Sequence, residues 1–313
     1  MKTPLTGIVP PVVTPLTDRD TLDVGGFERL LNRIIAGGVS GIFILGTTGE
    51  GPSLSYRLRR EVIDHACRII NRRVAVLVGI TDTSFVECLQ VARHAATAGA
   101  DALVLAPPYY LPEAQPELRE YLAHLVPELP LPLFLYNMPA LTKVSIEAET
   151  IRWALDQPGI VGLKDSSGDL NYFSEAVKLL KQRPDWPLLI GPEEKFLAAL
   201  QAGGHGGVNG GANLFPRLYV ELHRSFVAGD LPRAQTLQAQ IQKVSDSLYH
   251  IGRHSSAIIK GIKCALACEN VCNDFMAEPF HRFRAPERQQ VEQKLAQLKA
   301  DLNGLGIVHS NAS

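Results

Sequence analysis

The chain has 313 residues, 46% of them hydrophobic and 20% charged, so a large core is available and extensive disorder is excluded. Lysine and arginine number 31 against 32 for aspartate and glutamate, which argues against a general attraction to nucleic acid or to an anionic membrane. No apolar run approaches the roughly 20 residues of a membrane span, and the first six residues lack a signal-peptide core. We therefore expect a cytoplasmic protein without nucleic-acid or membrane partners.

Short apolar runs alternate with helical patterns from residue 7 to residue 228. The predicted strands cover 7–13, 41–45, 74–80, 102–105, 131–136, 160–164, 187–190 and 207–208. The predicted helices cover 27–36, 62–70, 85–98, 118–126, 146–155, 170–180, 194–201 and 216–228. Eight strand–helix units without a composition break predict an α/β fold, a (β/α)8 TIM barrel. A doubly wound sheet is the alternative, but no Gly-x-Gly-x-x-Gly follows the first strand, where a dinucleotide site would need it.

Beyond Asp230 only helical periodicity remains, at 234–249, 258–267 and 288–302. We predict a catalytic barrel over residues 1–229 and a C-terminal helical extension over residues 230–313, with a frayed tail from residue 304.

Three of the five cysteines, Cys264, Cys268 and Cys272, repeat every four residues and could share one helix face. No histidine or CxxC pair accompanies them, so buried packing is favoured over a metal site. We expect neither a metal nor a disulfide framework.

The chain is organised around Lys164, which ends the apolar run that begins at Ile160. Burial disfavours the ammonium form, so such a lysine is expected to offer an amine lone pair that can attack a carbonyl and form a Schiff base. The alternative is a lysine that extends out of the strand to pair with Asp165.

In a TIM barrel the chemistry lies at the C-terminal ends of the strands. A glycine-rich turn, residues 46–49, follows the second strand, and its N–H groups and hydroxyls suit the carboxylate of a 2-keto acid. A proton shuttle is also needed, and the hydroxyls of Thr47, Tyr110 and Tyr136 are candidates. Each group alone has an ordinary explanation: a capping hydroxyl or a packing tyrosine.

Three motifs together resemble the dihydrodipicolinate synthase/N-acetylneuraminate lyase family, pyruvate-dependent class I aldolases on a (β/α)8 barrel. They are Gly-Thr-Thr-Gly-Glu at 46–50, Tyr-Asn-x-Pro at 136–139 and Gly-Leu-Lys-Asp-Ser-Ser-Gly at 162–168. The resemblance covers nearly the whole chain. It implies no metal and no organic cofactor, and a homo-oligomer, either a dimer or a tetramer built as a dimer of dimers.

The resemblance also implies roles for individual residues. Lys164 forms the Schiff base, Tyr136 is the acid/base phenol, and Thr48 with the turn backbone holds the carboxylate. Thr47 links Tyr136 to Tyr110, which in this family comes from a neighbouring subunit. Further residues at the same strand ends are assigned to substrate binding: Gly46, Ser166, Gly191, Val208 and Asn209.

The second substrate is predicted from Leu141. Dihydrodipicolinate synthases resemble one another in an arginine at this position, and leucine cannot make its bidentate carboxylate contact. Pro-Ala-Leu at 139–141 is instead similar to the neuraminate lyase and 2-keto-3-deoxy sugar acid aldolase branches, in which acidic residues such as Glu193 and Glu194 contact substrate hydroxyls. Both glutamates could equally be residues favoured at a helix N-terminus by its dipole. Arg253 or Arg282 could supply the missing charge from elsewhere.

The leading hypothesis is an aldolase/lyase that reversibly cleaves a hydroxylated 2-keto acid to pyruvate and an aldehyde. The alternatives are a dihydrodipicolinate (4-hydroxy-tetrahydrodipicolinate) synthase condensing pyruvate with aspartate semialdehyde, a hydratase or dehydratase, and a non-catalytic keto-acid sensor. The sensor is disfavoured because binding alone needs no proton shuttle. The sequence does not specify the aldehyde, its stereochemistry or the physiological direction.

Overall fold

The computed structural model describes residues 4–252 and 254–307. Arg253 and residues 308–313, the greater part of the predicted tail, lie outside the described residues, as do residues 1–3. The helix that precedes the tail continues to Gly304.

Eight parallel strands form the predicted barrel. They are β1 (Gly7–Ile8), β2 (Gly41–Ile44), β3 (Ala75–Gly79), β4 (Ala102–Leu105), β5 (Leu133–Asn137), β6 (Ile160–Asp165), β7 (Leu188–Ile190) and β8 (Gly206–Gly207). From β2 to β8 each strand pairs with the next, and β8 pairs with β1. A bridge between Pro11 and Phe43 closes the ring, with Val12 N donating to Phe43 O at 2.8 Å. The prolines after β1 restrict it to two residues because they cannot donate to a ladder.

The barrel helices surround the strands. They are α1 (Val24–Ala36), α2 (Tyr56–Ile70), α3 (Phe85–Ala98), α4 (Gln115–Leu125), α5 (Ala148–Leu155), α6 (Leu170–Leu180), α7 (Phe196–Gln201) and α8 (Pro216–Val227), with a helical turn at Pro139–Thr142. Polar residues cap several N-termini. Ser84 accepts from Glu87 N, and Asp169 accepts from Asn171 N and Tyr172 N.

Two apolar layers hold the barrel together. The larger lies between strands and helices. The smaller fills the barrel interior and includes Val9, Phe43, Phe134, Tyr136 and Val208. Side chains alternate between the layers along each strand, so an inward residue at a strand end reaches the mouth of the barrel.

The extension contains three helices, α9 (Leu231–Leu248), α10 (Ala257–Cys268) and α11 (Ala285–Gly304). Because α10 ends at Cys268, Cys272 lies in the following loop. The expectation that the three cysteines share one helix face was therefore wrong. Burial raises the pKa of the Cys272 thiol to about 12. Within residues 4–252 and 254–307, no three His, Cys, Asp or Glu side chains are grouped to hold a metal.

The short hairpin Leu16–Asp18 and Thr21–Leu22 was not predicted, because strands of two or three residues carry no readable periodicity. Over the described residues, no helix is both long and apolar enough to cross a membrane.

Candidate active site

The orientation of Lys164 results from an irregularity in the pairing of β5 with β6. Leu133 pairs with Ile160, but Phe134 pairs with Gly162, so one extra residue, Val161, is accommodated in β6. This bulge reverses the facing of the rest of the strand. A Cβ on Gly162 would lie 2.3 Å from the Phe134 ring, so glycine is needed where the strand turns inward. Lys164 consequently lies opposite Tyr136 and points into the barrel.

Lys164 is only 5% exposed. Its Nζ lies 3.8 Å from the centroid of the Tyr136 ring and 5.0 Å from that of Phe43. Aromatic faces stabilise a cation but do not neutralise it as a carboxylate would. Asp165 does not pair with Lys164. Its carboxylate accepts from Asn137 Nδ2 at 2.9 Å and from Ser167 N at 3.0 Å. The alternative of an outward lysine paired with Asp165 is therefore excluded by the geometry.

The Tyr136 phenol lies among polar groups from three strand ends. Thr47 Oγ1 lies 3.3 Å from Tyr136 Oη, and Ser166 acts with it to lower the pKa of the phenol. Burial alone would raise the pKa of Tyr136, but the positive charge of Lys164 and the hydrogen bonds from Thr47 and Ser166 outweigh it, so the pKa lies below its ordinary value. A phenol with a lowered pKa beside a buried lysine suits proton transfer.

The glycine-rich turn is rigidly held. Glu50 N donates to Thr47 O at 3.0 Å, Gly51 N donates to Gly46 O at 3.2 Å, and Thr14 Oγ1 donates to Gly49 O at 2.7 Å. Thr47 and Thr48 are both partly buried at the barrel mouth. The turn therefore brings the Thr47 hydroxyl to the Tyr136 phenol, whereas Thr48 is partly buried in the same turn.

A cavity of about 230 Å³ opens at the ends of β2–β5. Its wall includes Gly46, Thr47, Tyr136 and Leu141, all predicted from the sequence. Its other lining residues are Phe43, Leu45, Pro52, Gly79, Thr81, Ala106, Tyr109, Met138 and Thr142. The polar groups are hydroxyls and backbone, and no lining residue among those described carries a charge. Lys164 lies behind this wall, against the Tyr136 ring.

Tyr110 is not brought to this group. It is 92% exposed, with φ 88°, and the adjacent Leu111 is 76% exposed. A positive φ is uncommon for tyrosine, and here it accompanies an aromatic side chain that projects away from its own barrel.

The structure also separates Glu193 from the cavity. Its carboxylate accepts from Gly211 N at 2.8 Å, Tyr219 Oη at 2.5 Å and Tyr249 Oη at 2.8 Å. With these three partners and 3% exposure, the carboxylate is enclosed by contacts within the protein. Glu194 is exposed on the turn before α7 and accepts from Ser245 of the extension. The predicted substrate contact of Glu193 is not supported, because its carboxylate joins β7, β8 and the extension.

The substitution Glu193→Gln tests this structural role through pH. Burial raises the pKa of Glu193 to about 7, although its hydrogen bonds act to lower it. The stability gained from a raised pKa is complete below the unfolded-state pKa and is lost as pH rises through the folded-state value. Relative to Glu193→Gln, the wild type should therefore lose unfolding free energy between pH 5 and pH 8, on the order of 2–3 kcal/mol. Denaturant unfolding across this range measures the difference, and a constant difference would contradict the assignment.

The residues predicted at the ends of β7 and β8 point in two different directions, some toward the barrel interior and some away from it. Val208 belongs to the interior layer. Asn209 turns the other way, and its Nδ2 donates to Gly191 O at 2.9 Å. The Ser166 Oγ occupies the space beside Gly191, 2.0 Å from where a Cβ would stand. Val208 and Ser166 therefore face the site, whereas Asn209 positions Gly191.

Comparisons with known proteins identify the family. Residues 4–298 match the model of the dihydrodipicolinate synthetase family. The chain belongs to this family. The probable 2-dehydro-3-deoxy-D-pentonate aldolase of Escherichia coli is 32% identical over 85% of this chain and 89% of its own length. The 4-hydroxy-tetrahydrodipicolinate synthase of Gluconacetobacter diazotrophicus is 30% identical over 78% and 82%, respectively.

Two solved structures of the family are similar throughout. The dihydrodipicolinate synthase of Bacteroides thetaiotaomicron is 49% identical, with a TM-score of 0.93, over 95% of this chain and 100% of that one. The prophage protein YagE of E. coli, solved in complex with pyruvate, is 28% identical, with a TM-score of 0.89, over 95% and 99%. Members of the family are named both synthases and aldolases, and the chain is an enzyme of this lyase and aldolase class.

The sequence analysis did not identify the buried ion pair of Glu50 and Lys263. Lys263 is 0% exposed within α10 and donates to the Glu50 carboxylate. The signal was available, since Lys263 stands in the apolar run of residues 261–266, and the logic applied to Lys164 applies equally to it.

Proposed function

We propose that the protein is a pyruvate-dependent class I aldolase/lyase that reversibly cleaves a hydroxylated 2-keto acid to pyruvate and an aldehyde. The observation that carries this proposal is the pairing of buried Lys164 with Tyr136 on adjacent strand ends, with Thr47 3.3 Å from the phenol. An amine nucleophile, a phenol and a hydroxyl relay are the groups that imine-based carbon–carbon cleavage requires.

In the proposed mechanism, the Lys164 amine adds to the C2 carbonyl of the keto acid and water leaves, which forms the imine. Tyr136, in its phenolate form, takes the proton from the C4 hydroxyl. The electrons of that O–H bond form the aldehyde carbonyl, the C3–C4 bond breaks, and its electrons pass into the protonated imine to give a neutral enamine. Protonation at C3 and hydrolysis release pyruvate and restore Lys164. Thr48 and the turn backbone, with Gly46, hold the substrate carboxylate.

Tyr110 completes the proposed relay from a second copy of the chain. Its 92% exposure leaves the side chain available to another subunit, and Thr47 would link it to Tyr136. We therefore propose a homo-oligomer, a dimer or a tetramer. We also propose a cytoplasmic location and a division into residues 1–229 and 230–313.

The proposed second substrate is a neutral, hydroxylated aldehyde, as for N-acetylneuraminate or a 2-keto-3-deoxy sugar acid. Leu141 lines the cavity in the place of a carboxylate-binding arginine, and the described lining residues are uncharged. Arg282 is not among the residues that line the cavity, and it pairs with Asp274 at 3.4 Å. Arg253 lies outside the described residues. Glu193 is not included among the proposed substrate contacts. Glu194, which is exposed, is still proposed to contact the hydroxyls of the substrate.

The substitution Leu141→Arg tests the proposed substrate class. A lost charge-assisted hydrogen bond costs about 1.5–3 kcal/mol, or roughly 10–100-fold. We expect kcat/KM in the wild type to favour glyceraldehyde or N-acetylmannosamine over aspartate semialdehyde at saturating pyruvate. Leu141→Arg should move this ratio toward aspartate semialdehyde by about 10–100-fold.

The matched control is Leu141→Met, which keeps the size and the neutrality of the side chain and should leave the ratio unchanged. The second candidate function is a dihydrodipicolinate synthase, favoured by the 49% identity to the B. thetaiotaomicron structure of that title. If aspartate semialdehyde is already the best acceptor of the wild type, this second function replaces the first.

A further inference from the structure

A second buried lysine lies in the extension, outside the groups used in the proposed mechanism. Lys263 of α10 is 0% exposed and is held by the Glu50 carboxylate and by the Phe275 carbonyl, 2.7 Å from its Nζ. The second carboxylate oxygen of Glu50 accepts from Ala277 N at 2.9 Å. Burial acts to lower the pKa of Lys263 and the Glu50 charge opposes that effect. The pair is thus enclosed, and each of its two side chains makes a further hydrogen bond to the backbone of the extension.

Glu50 closes the glycine-rich turn of the site. It adopts a left-handed conformation with φ 55°, in which a residue with a Cβ is strained. Its N–H donates to Thr47 O at 3.0 Å. Such a conformation persists only when its surroundings hold it, and here the side chain is held entirely by the extension. The direction of the Glu50 carboxylate and the position of Thr47 are therefore coupled through three residues of backbone.

We propose that Lys263 is a positioning residue, which through Glu50 holds the Thr47 hydroxyl against the Tyr136 phenol. The inference deepens the proposed function and rests on it. Removal of the lysine leaves a buried carboxylate without its cation, and a buried unpaired charge forces rearrangement or hydration. The turn relaxes, Thr47 withdraws from Tyr136, and the proton relay loses its alignment. The extension is in this sense part of the site, although no residue of its described part, 230–252 and 254–307, lines the cavity.

The test compares Lys263→Met with the wild type, counting functional sites by borohydride trapping of pyruvate on Lys164. We expect trapping to persist and turnover per trapped site to fall about 10–100-fold, since a displacement of about 1 Å can cost 10²-fold. Because the Thr47 hydrogen bond lowers the pKa of Tyr136, its loss should also move the phenol limb of the pH–rate profile to higher pH. A purely structural role would lower the melting temperature and leave both quantities unchanged.

Lys299→Met is the matched control. Lys299 of α11 pairs with the buried Glu269 carboxylate at 2.7 Å, remote from the turn, and Glu269 keeps Arg33 as a partner. This variant should lose stability only. If Lys263→Met does not fold, the same two measurements are made on Glu50→Gln. This substitution keeps the shape of the side chain and removes its charge. Turnover per site within twofold of wild type and an unmoved pH limb overturn the proposal. Failure of the wild type to trap pyruvate at Lys164 overturns instead the proposed function.

Discussion

Lys164→Ala is expected to abolish irreversible labelling by pyruvate and borohydride and to lower turnover by more than about 10³-fold, because the nucleophile that forms the imine is absent. Lys164 is the inward lysine at the β6 end, 5% exposed and in contact with two aromatic rings. The measurement is peptide mapping of the reduced adduct in the wild type, together with steady-state turnover of the variant.

Lys195→Ala provides the matched control for this experiment. Lys195 is a partly buried lysine at the adjacent strand end and donates to the Gly168 carbonyl. It should retain both labelling and turnover. An adduct mapped to another lysine, or full activity in Lys164→Ala, would contradict the proposed mechanism.

Tyr136→Phe is expected to lower turnover by roughly 10²–10⁴-fold, the range of one lost acid/base group. The fold should survive, because the ring keeps its edge contact with Phe43 and its face contact with Lys164. Only the hydroxyl partner of Thr47 and Ser166 is removed, which costs stability of about 1 kcal/mol. Parallel measurements of turnover and thermal unfolding separate the two effects.

The control for Tyr136→Phe is Tyr121→Phe. Tyr121 is also largely enclosed, on α4, where its ring packs edge-on against Phe85 and its hydroxyl lies 3.6 Å from Cys88 Sγ. Loss of that hydroxyl should leave turnover unchanged. A loss below tenfold in Tyr136→Phe would show that the proton travels by another route.

The fold was predictable because local signals agree with the global architecture. The predicted bounds of α3, β4 and α6 coincide with the observed ones. Ser84 and Asp169 cap the N-termini of the two helices, and Gly99 ends α3 in a left-handed conformation. Capping and periodicity are properties of a few neighbouring residues, so they can be read without knowledge of the rest of the chain.

The side-chain directions at the site were less predictable. Glu193 and Glu194 are adjacent in sequence, yet one is enclosed by two tyrosines and the other is exposed. Tyr219 and Tyr249, which enclose Glu193, come from 26 and 56 residues away. No local pattern encodes a partner at that separation, so a substrate contact and a structural contact look the same in the sequence.

By itself, the sequence determined that a lysine ends one buried strand, that a tyrosine ends another and that two threonines follow a third. Whether Lys164 enters the barrel was decided by the tertiary structure, through the bulge that pairs Phe134 with Gly162 and Tyr136 with Lys164. If β6 alternated regularly from Ile160 through Val161, with no bulge, Lys164 would point toward the helices. The physical reason is that register depends on two strands at once, and one strand's own residues do not specify it.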